Sequence, residues 1–120
     1  MLATLYFLIR PVRIRNDAMS PTYPEGCVVF VTREWGIPER GEVVAIASQT
    51  GGKGTISIRR VVAIEGDSFP LSDSETVTVP EGYVLVQSDN REAATDVQNA
   101  VEGLVDVRLI LGAVRFALGN

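Results

Sequence analysis

Thr55-Ile56-Ser57-Ile58-Arg59-Arg60-Val61-Val62-Ala63-Ile64, followed by Glu65-Gly66-Asp67, is the stretch from which the fold is read. The run is dense in β-branched side chains, which fit a pleated surface and lose rotamer freedom in a helix, so it predicts a strand. Working outward, runs of the same kind recur at 27–33, 42–47, 76–79, 83–87 and 105–111, short, rich in Val and Ile, and separated by Gly, Pro, Asp or Ser. Gln49-Thr50-Gly51-Gly52-Lys53-Gly54 predicts a hairpin turn, because repeated glycine tolerates positive φ. It lacks the spacing of a phosphate-binding loop, and no helix pattern follows it. Pro38-Glu39-Arg40-Gly41 and Pro80-Glu81-Gly82 predict turns that lead into strands. Residues 91–102 hold enough Ala and Glu for one short helix at most. The expected class is therefore all-β, mostly antiparallel, without internal repeats.

A chain of 120 residues forms one domain with one modest core, and 46% hydrophobic with 22% charged residues is a globular composition. The net charge of −4 argues against nucleic acid as a partner. Arg10, Arg13 and Arg15 cluster near the start, where they either meet anionic lipid headgroups or form the solvated face of a strand. The absence of histidine excludes Ser-His-Asp and Cys-His triads and any His-ligated metal, and no metal or cofactor is expected. Cys27 lies in the apolar run Cys27-Val28-Val29-Phe30-Val31 and is expected to be a buried thiol. The apolar start, Leu2 through Ile9 before Arg10, is shorter than the roughly 20 residues that span a bilayer and has no cleavable-signal pattern.

Three further segments carry the chemistry: Asp17-Ala18-Met19-Ser20-Pro21-Thr22, Ile58-Arg59-Arg60-Val61-Val62 with Gly66-Asp67, and Ser88-Asp89-Asn90-Arg91. Each alone is weak, a turn at a strand end or a patch of surface charge. Together they resemble, in order and approximate spacing, the boxes of the type I signal peptidases, peptidase S26, over nearly the whole chain. In that family the first box reads Ser-Met-x-Pro-Thr with Ser as nucleophile. The second reads Lys-Arg-Val-x-Gly-x-x-Gly-Asp with Lys as general base, and in the third, Gly-Asp-Asn-Arg-x-x-Ser-x-Asp-Ser-Arg, the first Ser supports that base. Met19, Pro21, Thr22, Arg60, Val61, Gly66, Asp67, Asp89, Asn90, Arg91 and Asp96 match, whereas Ala18, Arg59 and Ala94 stand where the nucleophile, base and supporting hydroxyl belong. Alanine has no nucleophilic atom, and guanidinium stays protonated, so this pair cannot form a nucleophile activated by a base.

The resemblance implies the signal-peptidase type of antiparallel β domain over 11–120, with 1–10 as the tail of a membrane anchor or an apolar lead-in. A first core strand is the alternative for that start. It further implies a peptide groove lined by Val12, Ile14, Met19, Tyr23 and Ile58. The side chain of Asn16 and the backbone N–H of Ala18 would be the donors of an oxyanion hole. Arg60, Asp89, Asn90, Arg91 and Asp96 would hold the third box against the groove. Ser20, Asp17 and Asp96 are the residues from which an atypical mechanism would have to be built. The expected function is a non-cleaving signal-peptidase-like protein at the extracytoplasmic face of the cell membrane. It would bind a peptide segment or a secreted partner, as non-cleaving relatives in Gram-positive bacteria do in pilin assembly. The alternative is signal peptidase I with an engineered or atypical site. A self-processing repressor of the related Ser-Lys fold is disfavoured by Asp89-Asn90-Arg91 and by the apolar start.

Overall fold

The computed structural model describes residues 9–33, 37–48, 55–90 and 103–119. The strands are β1 (Ile9–Arg13), β2 (Val28–Thr32), β3 (Val43–Ser48), β4 (Thr55–Ile64), β5 (Ser68–Pro70), β6 (Thr76–Thr78), β7 (Tyr83–Gln87), β8 (Gly103–Asp106) and β9 (Ile110–Leu118). Seven of them form one sheet in the order β1-β2-β9-β3-β4-β7-β8, and β5 pairs with β6 in a small second sheet. Every pairing between these strands is antiparallel.

The sheet is organised around β3. Successive strand residues point to opposite faces, and Val43, Val44, Ala45 and Ile46 are all buried because both faces are covered. Val43 and Ala45 join Ile14, Met19, Cys27, Val29, Val31, Ile58 and Val114 in one cluster. Val44 and Ile46 join Val61, Val84, Val86 and Val105 in another. A third cluster, Ala63, Val79 and Leu85, packs with Phe69 and Val77 of the small sheet. Each fully buried Val or Ile contributes about 1.5–3 kcal/mol.

The strand expected at 55–64 matches β4 at both ends, and 83–87 matches β7. β3 and β4 pair in register from Ser48↔Thr55 to Val43↔Arg60, and the turn expected at 49–54 lies outside the described residues. Tyr23 N–H and Tyr83 N–H close turns onto Met19 O and Pro80 O, and Gly82 takes the positive φ (+84°) that its turn requires. β1 starts at Ile9, so Ile9 and Arg10 belong to the sheet, while residues 1–8 lie outside the described part.

The single strand expected at 105–111 is two strands with a corner between them. β8 ends at Asp106, whose carboxylate accepts from the Arg108 N–H at 2.9 Å and caps a 3-10 turn, Val107–Leu109. A short acidic side chain that bonds the backbone two residues on competes with continuation of a ladder. After the corner, β9 inserts between β2 and β3, a long-range pairing that local composition does not foretell. The rings of Phe30 on β2 and Phe116 on β9 stack with centroids 4.8 Å apart. β5 was not expected from composition, since its three residues end in Pro70.

Gly112 makes the insertion of β9 possible, because a Cβ there would lie against the carbonyl oxygen of Thr32 on β2. Gly112→Ala must push backbone rather than a flexible side chain, so it is expected to cost about 2–4 kcal/mol or to prevent folding. Urea denaturation of the variant beside the parent protein measures this.

Candidate functional site

The first of the three chemical segments follows β1 directly. Ile14 donates its N–H to Cys27 O and accepts from Gly26 N–H, both at 2.8 Å, which carries the β1–β2 pairing one residue past the strand. The chain then coils through 16–23: Ala18 N–H donates to Asn16 Oδ1 at 3.0 Å, Ser20 N–H to Asp17 O at 3.1 Å, and the Ser20–Pro21 peptide is cis. Ala18 and Met19 are fully buried.

The third segment is fastened onto the first by backbone and side chain together. Asn90 donates its N–H to Ala18 O at 2.8 Å and its Nδ2 to Asp17 O at 3.0 Å, while Asp89 N–H approaches Met19 Sδ at 3.4 Å. The second segment completes the junction through Arg60. Its Nε and Nη2 donate to Asp89 Oδ1 and Oδ2 at 2.9 and 2.8 Å, and its Nη1 donates to Gly41 O at 2.8 Å. Thr22 Oγ1 donates to Asp89 Oδ2 at 2.7 Å. One carboxylate thus joins all three segments. The hydrogen bonds from Arg60 hold the Asp89 carboxyl below its ordinary range, against the opposing effect of burial. The same bonds raise the Arg60 guanidinium.

At the far end of β4, Gly66 turns the chain with φ +87°. Asp67 accepts from Ile64 N–H at 2.9 Å and from Arg40 at 2.7 and 2.8 Å, and these bonds, Arg40 foremost, lower its carboxyl to about 2. The Gly-Asp end of the second segment is therefore a structural turn.

A groove of about 430 Å³ opens between β1 and the first half of β4. Of the residues singled out in the sequence, Val12, Ile14, Asn16, Met19, Ile58 and Arg59 line it. Tyr23 does not line it: its partly buried ring packs on the core cluster that contains Met19 and Cys27. Arg10, Pro11, Arg13, Arg15, Ile56 and Ser57 are further lining residues that residue-by-residue matching missed. The arginines at 10, 13 and 15 were the available signal for the β1 side of the groove. Ala18 is sealed beneath the surface, and its N–H is already bonded to Asn16. The two groups expected to converge on an oxyanion are thus bonded to one another. Arg59 is almost wholly buried, with Nη1 donating to Ile58 O at 2.7 Å. Arg91, Ala94 and Asp96 lie outside the described residues.

The model of the family described as signal peptidase, peptidase S26, matches residues 1–75, which contain the first two segments. The chain belongs to this family. A mitochondrial ATP-independent inner membrane protease subunit 1b of Arabidopsis thaliana is 35% identical over 110 residues, covering 82% of the chain and 63% of that protein. Signal peptidase I of Bacillus licheniformis is 26% identical over 145 residues, covering 92% and 76%. The Arabidopsis subunit 1a is 29% identical over 101 residues, covering 75% and 60%. The chain thus spans under two thirds of the length of both mitochondrial relatives. Its peptidase S26 fold is the nearly all-β, antiparallel arrangement described above. Among the described residues no helix is long and apolar enough to cross a membrane.

Asp89→Asn removes the charge that Arg60 and Thr22 share, and is expected to cost about 1–3 kcal/mol, since hydrogen bonds to charged groups are the strong ones. The folded-state pKa of Asp89 lies below its ordinary 3.8. The ion pair therefore contributes fully above that value and is lost as the pH falls through the folded pKa. Urea midpoints of parent and variant should differ at pH 7 and converge as the pH is taken well below 4.

Proposed function

We propose that this chain is a non-cleaving member of the peptidase S26 family that binds an extended peptide, or a segment of a partner protein, in the groove between β1 and β4. The observation that carries the reading is the pairing of a retained groove with Ala18 and Arg59, residues that can neither attack a carbonyl nor remove a proton. The groove retains Val12, Ile14, Met19 and Ile58, and the Arg60–Asp89 junction holds its neighbouring segments in place. Its place of action is the extracytoplasmic face of a membrane, a proposal supported by the inner-membrane relative and by the family resemblance. A chaperone for secreted or pilin subunits is the specific form suggested by the resemblance to non-cleaving family members.

The second reading, a working peptidase, is favoured by the names of the relatives, which are proteases and a signal peptidase. It would require Ser20, Asp17 or Asp96 to replace the missing pair.

Incubation with a membrane-embedded preprotein, read by mass spectrometry, separates the two. The unmodified chain is expected to leave the precursor intact, and Ala18→Ser with Arg59→Lys and Ala94→Ser to yield processed product. Processing by the unmodified chain would overturn the non-cleaving reading.

A further inference from the structure

The groove is bounded on both sides by strand edges that no described strand occupies. β1 is the outermost strand of the sheet. In an antiparallel ladder alternate residues turn their backbone groups towards the neighbour. Ile14 bonds to Gly26 and Cys27, so the N–H and C=O of Arg13 and Arg15 face away from β2. Pro11, two residues before Arg13 on the same edge, has no N–H and interrupts the row of donors. On the opposite side, β7 pairs with β4 only from Arg60 onward, and residues 55–59 pair with β3 alone. Val61 exchanges bonds with Gly41 and Glu42, which by the same alternation turns the backbone of Ile56 and Ile58 outward. An extended segment entering this groove finds backbone donors and acceptors on both flanks, the geometry of strand addition.

Charge narrows the occupant. Arg10, Arg13, Arg15 and Arg59 line the groove, and among the described residues that line it none is acidic, in a chain whose net charge is −4. Arg10, Arg13 and Arg15 are exposed. None of them takes part in the ion pairs of the described residues, which join Arg40, Arg60, Arg108 and Arg115 to carboxylates. Arg13 donates through Nη1 to Gly26 O, leaving other guanidinium donors available. Val12 and Ile14 turn to the core face, so Arg13 and Arg15 project from the other face, two residues apart. A strand added at this edge places its directly opposed side chains on that same face, with Cβ separations of about 5 Å.

We propose that the groove selects an extended peptide bearing two carboxylate side chains two residues apart, which pair with Arg13 and Arg15 while the residue between them turns towards Val12 and Ile14. This selection rests on the peptide-binding reading above and names its ligand class. The intervening residue must be small or apolar.

Fluorescence anisotropy with three blocked nonapeptides of small apolar residues tests it. One carries glutamates at i and i+2, one glutamines at the same places, and one glutamates at i and i+3. The i,i+2 glutamate peptide should bind about five- to tenfold more tightly than either of the others in about 50 mM salt, the gain expected from two exposed ion pairs. The advantage should fade at about 0.5 M salt, where screening is strong. The Arg13→Gln, Arg15→Gln double variant should lose the advantage, and a far-UV circular dichroism spectrum matching that of the parent reports that it is folded. Equal affinity for all three peptides would overturn the selection while leaving peptide binding standing. Failure of every peptide to bind either protein would overturn both. If instead the double variant loses attachment to phosphatidylglycerol vesicles and the peptide ranking is unchanged, the arginines serve lipid headgroups and the selection is overturned.

Discussion

The bidentate pairing of Arg60 with Asp89 is the constraint on which the site depends. Asp89 follows β7 and Arg60 lies on β4, and those neighbouring strands are joined from Arg60↔Gln87 onward. That pairing brings the carboxylate to the guanidinium, and the carboxylate also accepts from Thr22. A half-buried charge pair of this kind is favourable only when its remaining hydrogen-bonding capacity is used. Here Gly41 O takes a further guanidinium donor and Thr22 a further carboxylate lone pair. The coil at 16–23 has little regular structure of its own. It keeps its shape because Asn90 and Asp89 bond to Asp17, Ala18 and Met19.

The groove has a different origin. It exists where the described part of the main sheet stops covering itself: among the described strands β1 has one neighbour, and β7 reaches only the second half of β4. Unpaired edges usually invite aggregation and are blunted by proline or by charge. Pro11 and the arginines of β1 supply both, so the features that protect the edge also restrict what can be added to it. The buried guanidinium of Arg59 and the sealed methyl of Ala18 occupy the places where the family resemblance puts the reacting groups. The role proposed for such an arrangement is to hold a chain without cutting it.

Much of the fold was legible because β-branched runs between turn residues identify strands through local sterics alone. Val61 with its neighbours in β4, and Tyr83 to Gln87 in β7, needed no partner to be recognised. The corner at Asp106 was not legible, since Val105 to Leu111 has the same composition on both sides of a turn set by one side-chain hydrogen bond. The insertion of β9 between β2 and β3 was hidden for a related reason. Sheet order arises from long-range pairing, and the close approach of Gly112 to Thr32 shows only when both strands are placed. In the site, Val12, Ile14, Met19 and Ile58 lie along the groove beside the matched segments, whereas the turn after Met19 directs the Tyr23 ring onto the core cluster, which short-range spacing does not reveal.

The sequence by itself determined the strand content, the identities of Ala18 and Arg59, and the family to which the three segments point. Each of these depends on residue identity and short-range spacing. Only the tertiary structure decided that the Ala18 amide is bonded to Asn16, that Asp89 gathers all three segments, and that two edges which no described strand occupies face one groove beside Arg10, Arg13 and Arg15, which join none of the ion pairs of the described residues. Those outcomes depend on contacts between residues far apart in the chain, as when Thr22 meets Asp89, and on which backbone groups the sheet leaves unused.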